Sequence, residues 1–207
     1  MLPRLETGAY LLSETDPGRL APCAAEVAFI GRSNAGKSTL LNAVCRRDMA
    51  RVSKTPGRTR AINVYQVGPD RWLVDLPGYG FAVGSEAERA GWGPMIEGYL
   101  TSRPSLRMIF ALIDAKVGPT CLDLQMVEWL RSYDLPWRPV ASKADQVKRS
   151  HAQARRREAA HALGLQPEDL AWVSAQDGSG VRELRNEVVA LLTTEGLSAG
   201  PPALPIV

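Results

Sequence analysis

The sequence predicts an α/β fold: a mostly parallel six-stranded sheet with one antiparallel edge strand and helices on both faces. Three observations carry the prediction. Apolar strand-like segments alternate with amphipathic helical segments through most of the chain, as in repeated βα units. A glycine-bearing loop, Gly31-Arg32-Ser33-Asn34-Ala35-Gly36-Lys37-Ser38, joins a strand to a helix. Polar clusters at residues 75–78, 142–145 and 173–175 each follow a strand, at the end of the sheet where ligands bind.

Residues 1–22 read as an N-terminal arm with one short strand around Ala9-Tyr10-Leu11-Leu12 and a turn at Asp16-Pro17-Gly18. Glu26-Val27-Ala28-Phe29-Ile30 reads as a buried strand, and residues 39–45 as the helix after the loop. Residues 46–60 are basic and irregular, and Pro56-Gly57 breaks any regular element there. Residues 61–67 alternate like a strand, Gly68-Pro69-Asp70 turns the chain, and residues 71–75 return, an antiparallel hairpin at a sheet edge. A glycine-rich loop leads to a helix over 86–101. Strand 106–114, helix 122–132, a short strand 137–141, helix 148–163, strand 170–173 and helix 180–192 follow. The globular domain is expected over residues 23–193, with the Pro- and Gly-rich residues 194–207 as a mobile tail.

At 207 residues, 45% apolar and 23% charged, the chain has the size and composition of a soluble domain that buries a sizeable core. It contains no run of about 18 apolar residues, so no membrane span is expected. Residues 1–6 lack the basic-then-apolar order of a signal peptide, which makes the cytoplasm the expected location. Cys23, Cys45 and Cys121 have neither metal-ligand nor disulfide-framework spacing and read as buried thiols. His151 and His161 flank an Arg-rich helix with no third ligand nearby, which argues against a metal or catalytic role. The net charge of +3 is a weak pointer to a polyanionic partner, and nothing requires more than a monomer.

The loop fits G-x-x-x-x-G-K-[ST], the phosphate cradle of P-loop NTPases. Gly31 and Gly36 are expected to let the backbone turn sharply and approach phosphate oxygens without a Cβ. Successive N–H groups from Arg32, Ser33, Asn34 and Ala35 onward then line an anion-binding concavity at a helix start. Lys37 is placed to reach the β- and γ-phosphates, and Ser38 to put its hydroxyl on Mg²⁺. The later clusters select the nucleotide. In Asp75-Leu76-Pro77-Gly78, the Asp supports the Mg²⁺ shell and the Gly78 N–H approaches a γ-phosphate. In Ser142-Lys143-Ala144-Asp145, the Asp side chain accepts from guanine N1–H and N2–H, a pattern adenine does not offer. The Lys143 stem covers the purine face. In Val173-Ser174-Ala175, a backbone N–H meets guanine O6. Taken in order, each at a strand end, these clusters read as a P-loop NTPase G domain binding GTP and GDP. A small-molecule kinase would need an acceptor pocket and a lid, and the ordered guanine motifs argue against it.

The sequence resembles the EngB family of ribosome-biogenesis GTPases, within the TrmE-Era-EngA-EngB-like superfamily, over roughly residues 20–192. The resemblance is carried by residues 31–38, Ser53-Lys54-Thr55-Pro56-Gly57-Arg58-Thr59, Asp75-Leu76-Pro77-Gly78-Tyr79-Gly80, Gly118-Pro119-Thr120 with Leu122-Asp123-Leu124-Gln125-Met126, and Lys148-Arg149-Ser150. It implies that Thr59, with Thr55 as the alternative, ligands Mg²⁺ when the γ-phosphate is present. It also implies that Gly57, Arg58, Arg60 and Ala61 lie along the bound nucleotide. Arg60 stands where the family usually has Gln, Ser142 where it has Thr or Asn, and Ala175 where it has Ser. Serine keeps a hydroxyl to tether the P-loop, and the O6 contact uses backbone.

Ras-like enzymes orient the attacking water with a Gln just after Asp-x-x-Gly; here Tyr79 stands there, and a phenol lacks the paired donor and acceptor. Intrinsic hydrolysis is therefore expected on the order of 10⁻⁴ to 10⁻³ s⁻¹. An Asn at the place of Asn34 helps related GTPases bind K⁺ beside the phosphates, so K⁺ stimulation is expected. The resemblance further implies a switch in large ribosomal subunit assembly, needed for growth and cell division. Its basic segment (Arg46, Arg47, Arg51, Lys54, Arg58, Arg60) and basic helix (Lys148, Arg149, Arg155, Arg156, Arg157) would meet rRNA phosphates. The bland alternative is a binding module whose hydrolysis is incidental.

Overall fold

A computed structural model describes residues 3–50, 61–80 and 86–194. Its elements are β1 (Ala9–Glu14), β2 (Ala25–Gly31), α1 (Lys37–Cys45), β3 (Ile62–Gly68), β4 (Arg71–Asp75), α2 (Glu86–Ser102), β5 (Leu106–Asp114), α3 (Cys121–Ser132), β6 (Trp137–Ser142), α4 (Arg149–Ala162), β7 (Ala171–Trp172) and α5 (Val181–Thr193). One sheet holds all the strands in the order β1-β3-β4-β2-β5-β6-β7. From β4 to β7 every neighbour is parallel. The β3–β4 hairpin is antiparallel, as its turn signal requires, with Asp70 at φ +52°.

The sheet has seven strands rather than six, because the N-terminal segment does not stop at a loose strand. β1 pairs antiparallel with β3 along Ala9–Glu14, broken by a bulge between Tyr10 and Leu12. The antiparallel strand expected at the edge therefore lies one place in. β1 itself is largely exposed, which is why its residues carry little hydrophobic signal.

β2 is the central strand and every residue of it is buried. Its side chains alternate between two cores, as the period of a strand dictates. Val27 and Phe29 face α1 and α5, joining Leu40, Leu41, Val44, Leu184 and Val188. Ala28 and Ile30 face the other layer, joining Ile96, Tyr99, Leu100 and Leu130 from α2 and α3. A third cluster seats α4 on β5 and β6 through Ile113, Ala141, Ala159, Ala160 and Leu163. No helix among the described residues is long and apolar enough to cross a membrane.

At the N-terminal end of β2, Glu26 is fully buried. Its carboxylate accepts from Ser105 Oγ at 2.6 Å, Arg103 Nε at 2.7 Å and Tyr99 OH at 2.9 Å. The same guanidinium donates to the Leu20 and Ala21 carbonyls and covers the Trp72 ring. This network fastens the N-terminal segment and the end of α2 beneath the sheet.

Candidate functional site

The P-loop runs from the end of β2 to the start of α1, at the C-terminal edge of the parallel strands. Its two glycines serve different needs. A Cβ on Gly31 would come within 2.8 Å of the Leu112 carbonyl oxygen, so this glycine is required by the approach of β5. Gly36 has φ +87°, a left-handed conformation that a side chain disfavours, and it caps α1. Asn34 is also left-handed, at φ +68°.

Leu40 N–H is bonded to the Gly36 carbonyl at 2.9 Å. The N–H groups of Lys37, Ser38 and Thr39 before it have no partner among the described residues. They open the positive end of α1 toward the loop, the arrangement that binds phosphate. Lys37 is buried, with Nζ 3.6 Å from Asp75 Oδ1, and Ser38 Oγ donates to Asp75 Oδ2 at 3.3 Å.

Asp75 ends β4 and is itself buried. Burial holds its carboxyl above the ordinary carboxylate value, opposed by the Lys37 ammonium and the Ser38 hydroxyl. Its Oδ1 has no hydrogen-bond partner among the described residues. An orphaned carboxylate oxygen beside a serine hydroxyl and a phosphate loop is a donor set that suits a hard cation such as Mg²⁺.

Gly78 lies directly on the P-loop: a Cβ there would meet Ser33 N at 2.9 Å. Tyr79 pairs with the loop through its backbone, donating to the Gly31 carbonyl at 3.2 Å and accepting from Ser33 N–H at 3.1 Å. Its phenol is buried and turned aside to donate to Asp123 Oδ1 at 2.9 Å. Burial first, then the Asp123 charge, pushes its pKa far above that of a free tyrosine. The side chain that replaces the water-orienting Gln is thus committed elsewhere.

The base-selecting motifs come together across β6 and β7. Ser142 Oγ donates to the Ala35 carbonyl at 2.6 Å, so serine does keep the tether to the P-loop. Lys143, at φ +57°, lays its stem beside Gly36 and donates from Nζ to the Asn34 carbonyl and to Asp114 Oδ2, the latter at 2.7 Å. Asp145 is exposed, with one carboxylate oxygen accepting from Ser174 Oγ at 2.5 Å. Ala144 N–H is spent on the Val173 carbonyl, Val173 N–H on Ala141 and Ser174 N–H on Ser179. Ala175 N–H, like those of Lys143 and Asp145, is left without a partner among the described residues.

Of the loop residues expected to present N–H groups, Ser33 donates to the Tyr79 carbonyl and Ala35 to the Arg32 carbonyl, whereas Arg32 and Asn34 N–H have no partner among the described residues; Leu76 is fully buried in the core behind the loop. Gly57, Arg58, Thr59 and Arg60 fall outside the described residues; Ala61 is described and immediately precedes β3, whose Asn63 pairs with Asp75. In α4, Arg155 and Arg156 spend donors on the Lys116 and Leu170 carbonyls, whereas Lys148, Arg149 and Arg157 are exposed.

Two residues at the site carry no motif signal. Asp114 closes the apolar strand β5, catches Lys143 and accepts from Lys116 and Val117 N–H. Asn42, on α1, accepts from Met49 and Ala50 N–H and donates to the Ala50 carbonyl, fixing where the chain leaves toward residue 51. Asp123 is taken up below. A lone polar residue within an apolar strand or helix is the only trace that Asp114 and Asn42 leave in the sequence.

A family model described as 50S ribosome-binding GTPase matches residues 26–143. The probable GTP-binding protein EngB of Thermotoga maritima is 44% identical over 172 residues, 83% of this chain and 88% of the relative. A crystal structure of a probable GTP-binding protein EngB matches with TM-score 0.67 at 23% identity, over 81% of this chain and 98% of that one. Era in complex with MgGDPNP and a segment of 16S ribosomal RNA matches with TM-score 0.62 at 21% identity, over 89% of this chain and 61% of that one.

Proposed function

The chain belongs to the EngB family of GTP-binding proteins, which are GTPases, and from that premise we propose that it is a GTP-driven switch in large ribosomal subunit assembly, acting in the cytoplasm and serving growth and cell division through that role. One observation supports the guanine reading above all: Asp145, steadied by Ser174, stands beside the free Ala175 N–H, a donor and acceptor set matched to a guanine edge. The phosphates take the unpaired N–H groups of residues 37–39 and the Lys37 ammonium. Ser38 and Thr59 would hold Mg²⁺, with Asp75 supporting from behind; when bound, the ion would neutralise phosphate charge.

Gly78 and Thr59 engage only a triphosphate, so hydrolysis releases both loops. With Tyr79 turned away from the site, unaided hydrolysis is slow. Asn34 is exposed at the mouth of the P-loop and favours K⁺ as the stimulating charge. Equal turnover in K⁺ and Na⁺ at matched ionic strength would remove that part of the reading. The partner is the large subunit and its rRNA, in keeping with the description of the matching family model. Exposed Arg46, Arg47, Lys148, Arg149 and Arg157 supply salt-sensitive, sequence-blind contacts.

Co-sedimentation with large ribosomal subunits in the GTP-analogue, GDP and nucleotide-free states is the direct test. Preferential binding in the GTP-analogue state is expected; equal binding in all three states overturns the switch. Stimulated turnover on subunits distinguishes a GTPase cycle from a binding module with incidental hydrolysis.

A further inference from the structure

Four donors from three places in the chain converge on the Asp123 carboxylate, which is fully buried. Tyr79 OH donates to Oδ1 at 2.9 Å. Arg32 Nε donates to Oδ2 at 3.2 Å, from inside the P-loop. Thr120 N–H and Oγ1 donate to the same oxygen at 2.8 and 2.7 Å, as the capping box of α3. Each oxygen is satisfied, and the helix cap fixes where the carboxylate stands.

The residues tied through this carboxylate are not arbitrary. Arg32 and Tyr79 form the one backbone bridge between the P-loop and the turn after β4. Their side chains then meet again on Asp123, so backbone and side chains specify the same alignment. The fit is close on both sides. A Cβ on Gly78 would strike Ser33, and one on Gly80, at φ +78°, would come within 2.6 Å of Leu122 Cδ1 on α3. Gly78 N–H, held in this turn, has no partner among the described residues.

We propose that Tyr79 is a positioning residue for triphosphate recognition: its bond to Asp123 holds the Gly78 turn in register with the P-loop and ties that register to the start of α3. The position that orients water in other GTPases here sets the turn that meets the γ-phosphate. This rests on the reading of the site as a GTP site. A diphosphate does not reach Gly78, so the bond to Asp123 acts on triphosphate affinity alone. Removing the phenol hydroxyl leaves the ring in place and one Asp123 oxygen without its donor, the cost of about one buried hydrogen bond to a charged group.

The test measures affinities of the full chain for a fluorescent non-hydrolysable GTP analogue and for fluorescent GDP, both with Mg²⁺. Tyr79→Phe should weaken the triphosphate roughly three- to tenfold, with GDP changed less than about twofold. Asp123→Asn should give the same split, and the double variant no more than the larger single effect. Tyr99→Phe is the matched control: it also removes a buried phenol from a buried carboxylate, Glu26, but far from the site. It should lower the melting temperature and leave the ratio of the two affinities unchanged. An unchanged ratio in Tyr79→Phe, or an equal loss for both nucleotides, overturns the proposal and makes the contact merely structural. Failure of the wild type to bind either nucleotide would remove the GTP-site reading itself and the proposal with it.

Discussion

Glu26 and Asp75 are buried carboxylates on neighbouring parallel strands, at opposite ends of the sheet. Glu26 opens β2 and pairs in register with Trp72, while Asp75 closes β4 opposite Phe29. Glu26 is answered by three donors within 2.9 Å. Asp75 has one hydroxyl at 3.3 Å, an ammonium at 3.6 Å and an oxygen with no hydrogen-bond partner among the described residues. Burying a charge is costly unless it is paired and hydrogen-bonded. The end that meets this condition fastens the fold, and the end that does not is left for a ligand to complete. The chain thus keeps its stabilising polar network at one end of the strands and its reactive, under-satisfied one at the other.

Breaking the satisfied end should have the largest effect. Glu26→Ala leaves the Arg103 guanidinium and the Tyr99 hydroxyl buried without their acceptor, so folding stability should fall by about 3–5 kcal/mol in urea unfolding. GTP affinity of the folded fraction should not change. A loss of affinity without a loss of stability would reverse the roles assigned to the two ends.

At the other end the pattern inverts. Asp145→Asn should leave stability intact and weaken GTP about 10- to 100-fold, since hydrogen bonds to a charged group contribute roughly 1.5–3 kcal/mol. Xanthosine triphosphate should become the better ligand, as a competition titration will show; unchanged GTP affinity would refute the base assignment.

Asp75 sharpens the comparison through pH. Its carboxyl is raised by burial, so the folded state holds the proton more tightly than the unfolded chain. Stability of the nucleotide-free, Mg²⁺-free protein should therefore rise as pH falls through the raised folded value toward the ordinary value of 3.8. Above the folded value the penalty is complete. Asp75→Asn removes this penalty but leaves the buried Lys37 ammonium without its carboxylate, so the two effects oppose at pH 7, and the gain in stability on acidification should be lost in the variant. Its Mg²⁺-dependent GTP affinity should nevertheless drop about tenfold, a loss of roughly 1.4 kcal/mol. A gain in stability on acidification that persists in Asp75→Asn would show that Asp75 is not the group responsible.

The smallest effect is expected at Ser142→Ala, which removes the hydroxyl that reaches the Ala35 carbonyl at 2.6 Å and the Ile113 carbonyl at 3.1 Å. A net hydrogen bond of about 1 kcal/mol corresponds to roughly fivefold weaker GTP binding, and Ser142→Thr should restore it.

Much of this was legible in the chain. The alternation of residues 27–30 places the central strand between two cores, and the P-loop and the later polar motifs share one edge of the sheet because each follows a strand. β1 was harder to read: an exposed edge strand has little apolar pattern, and its place outside β3 depends on pairing across more than fifty residues. Gly31 was legible as a necessary glycine, but the reason given by the motif differs from the one given by Leu112.

The sequence by itself determined the helices, most of the strands and the order of the nucleotide motifs, since these follow from periodicity and from short motifs whose residues are neighbours in the chain. Tertiary structure alone decided which polar groups are satisfied. That Glu26 is answered, that Asp75 is not, and that Tyr79 turns to Asp123 depend on donors 44 to 79 residues away. No local pattern encodes such a meeting; it exists only once the sheet has packed, water has been excluded and each buried charge must find a partner or be left without one.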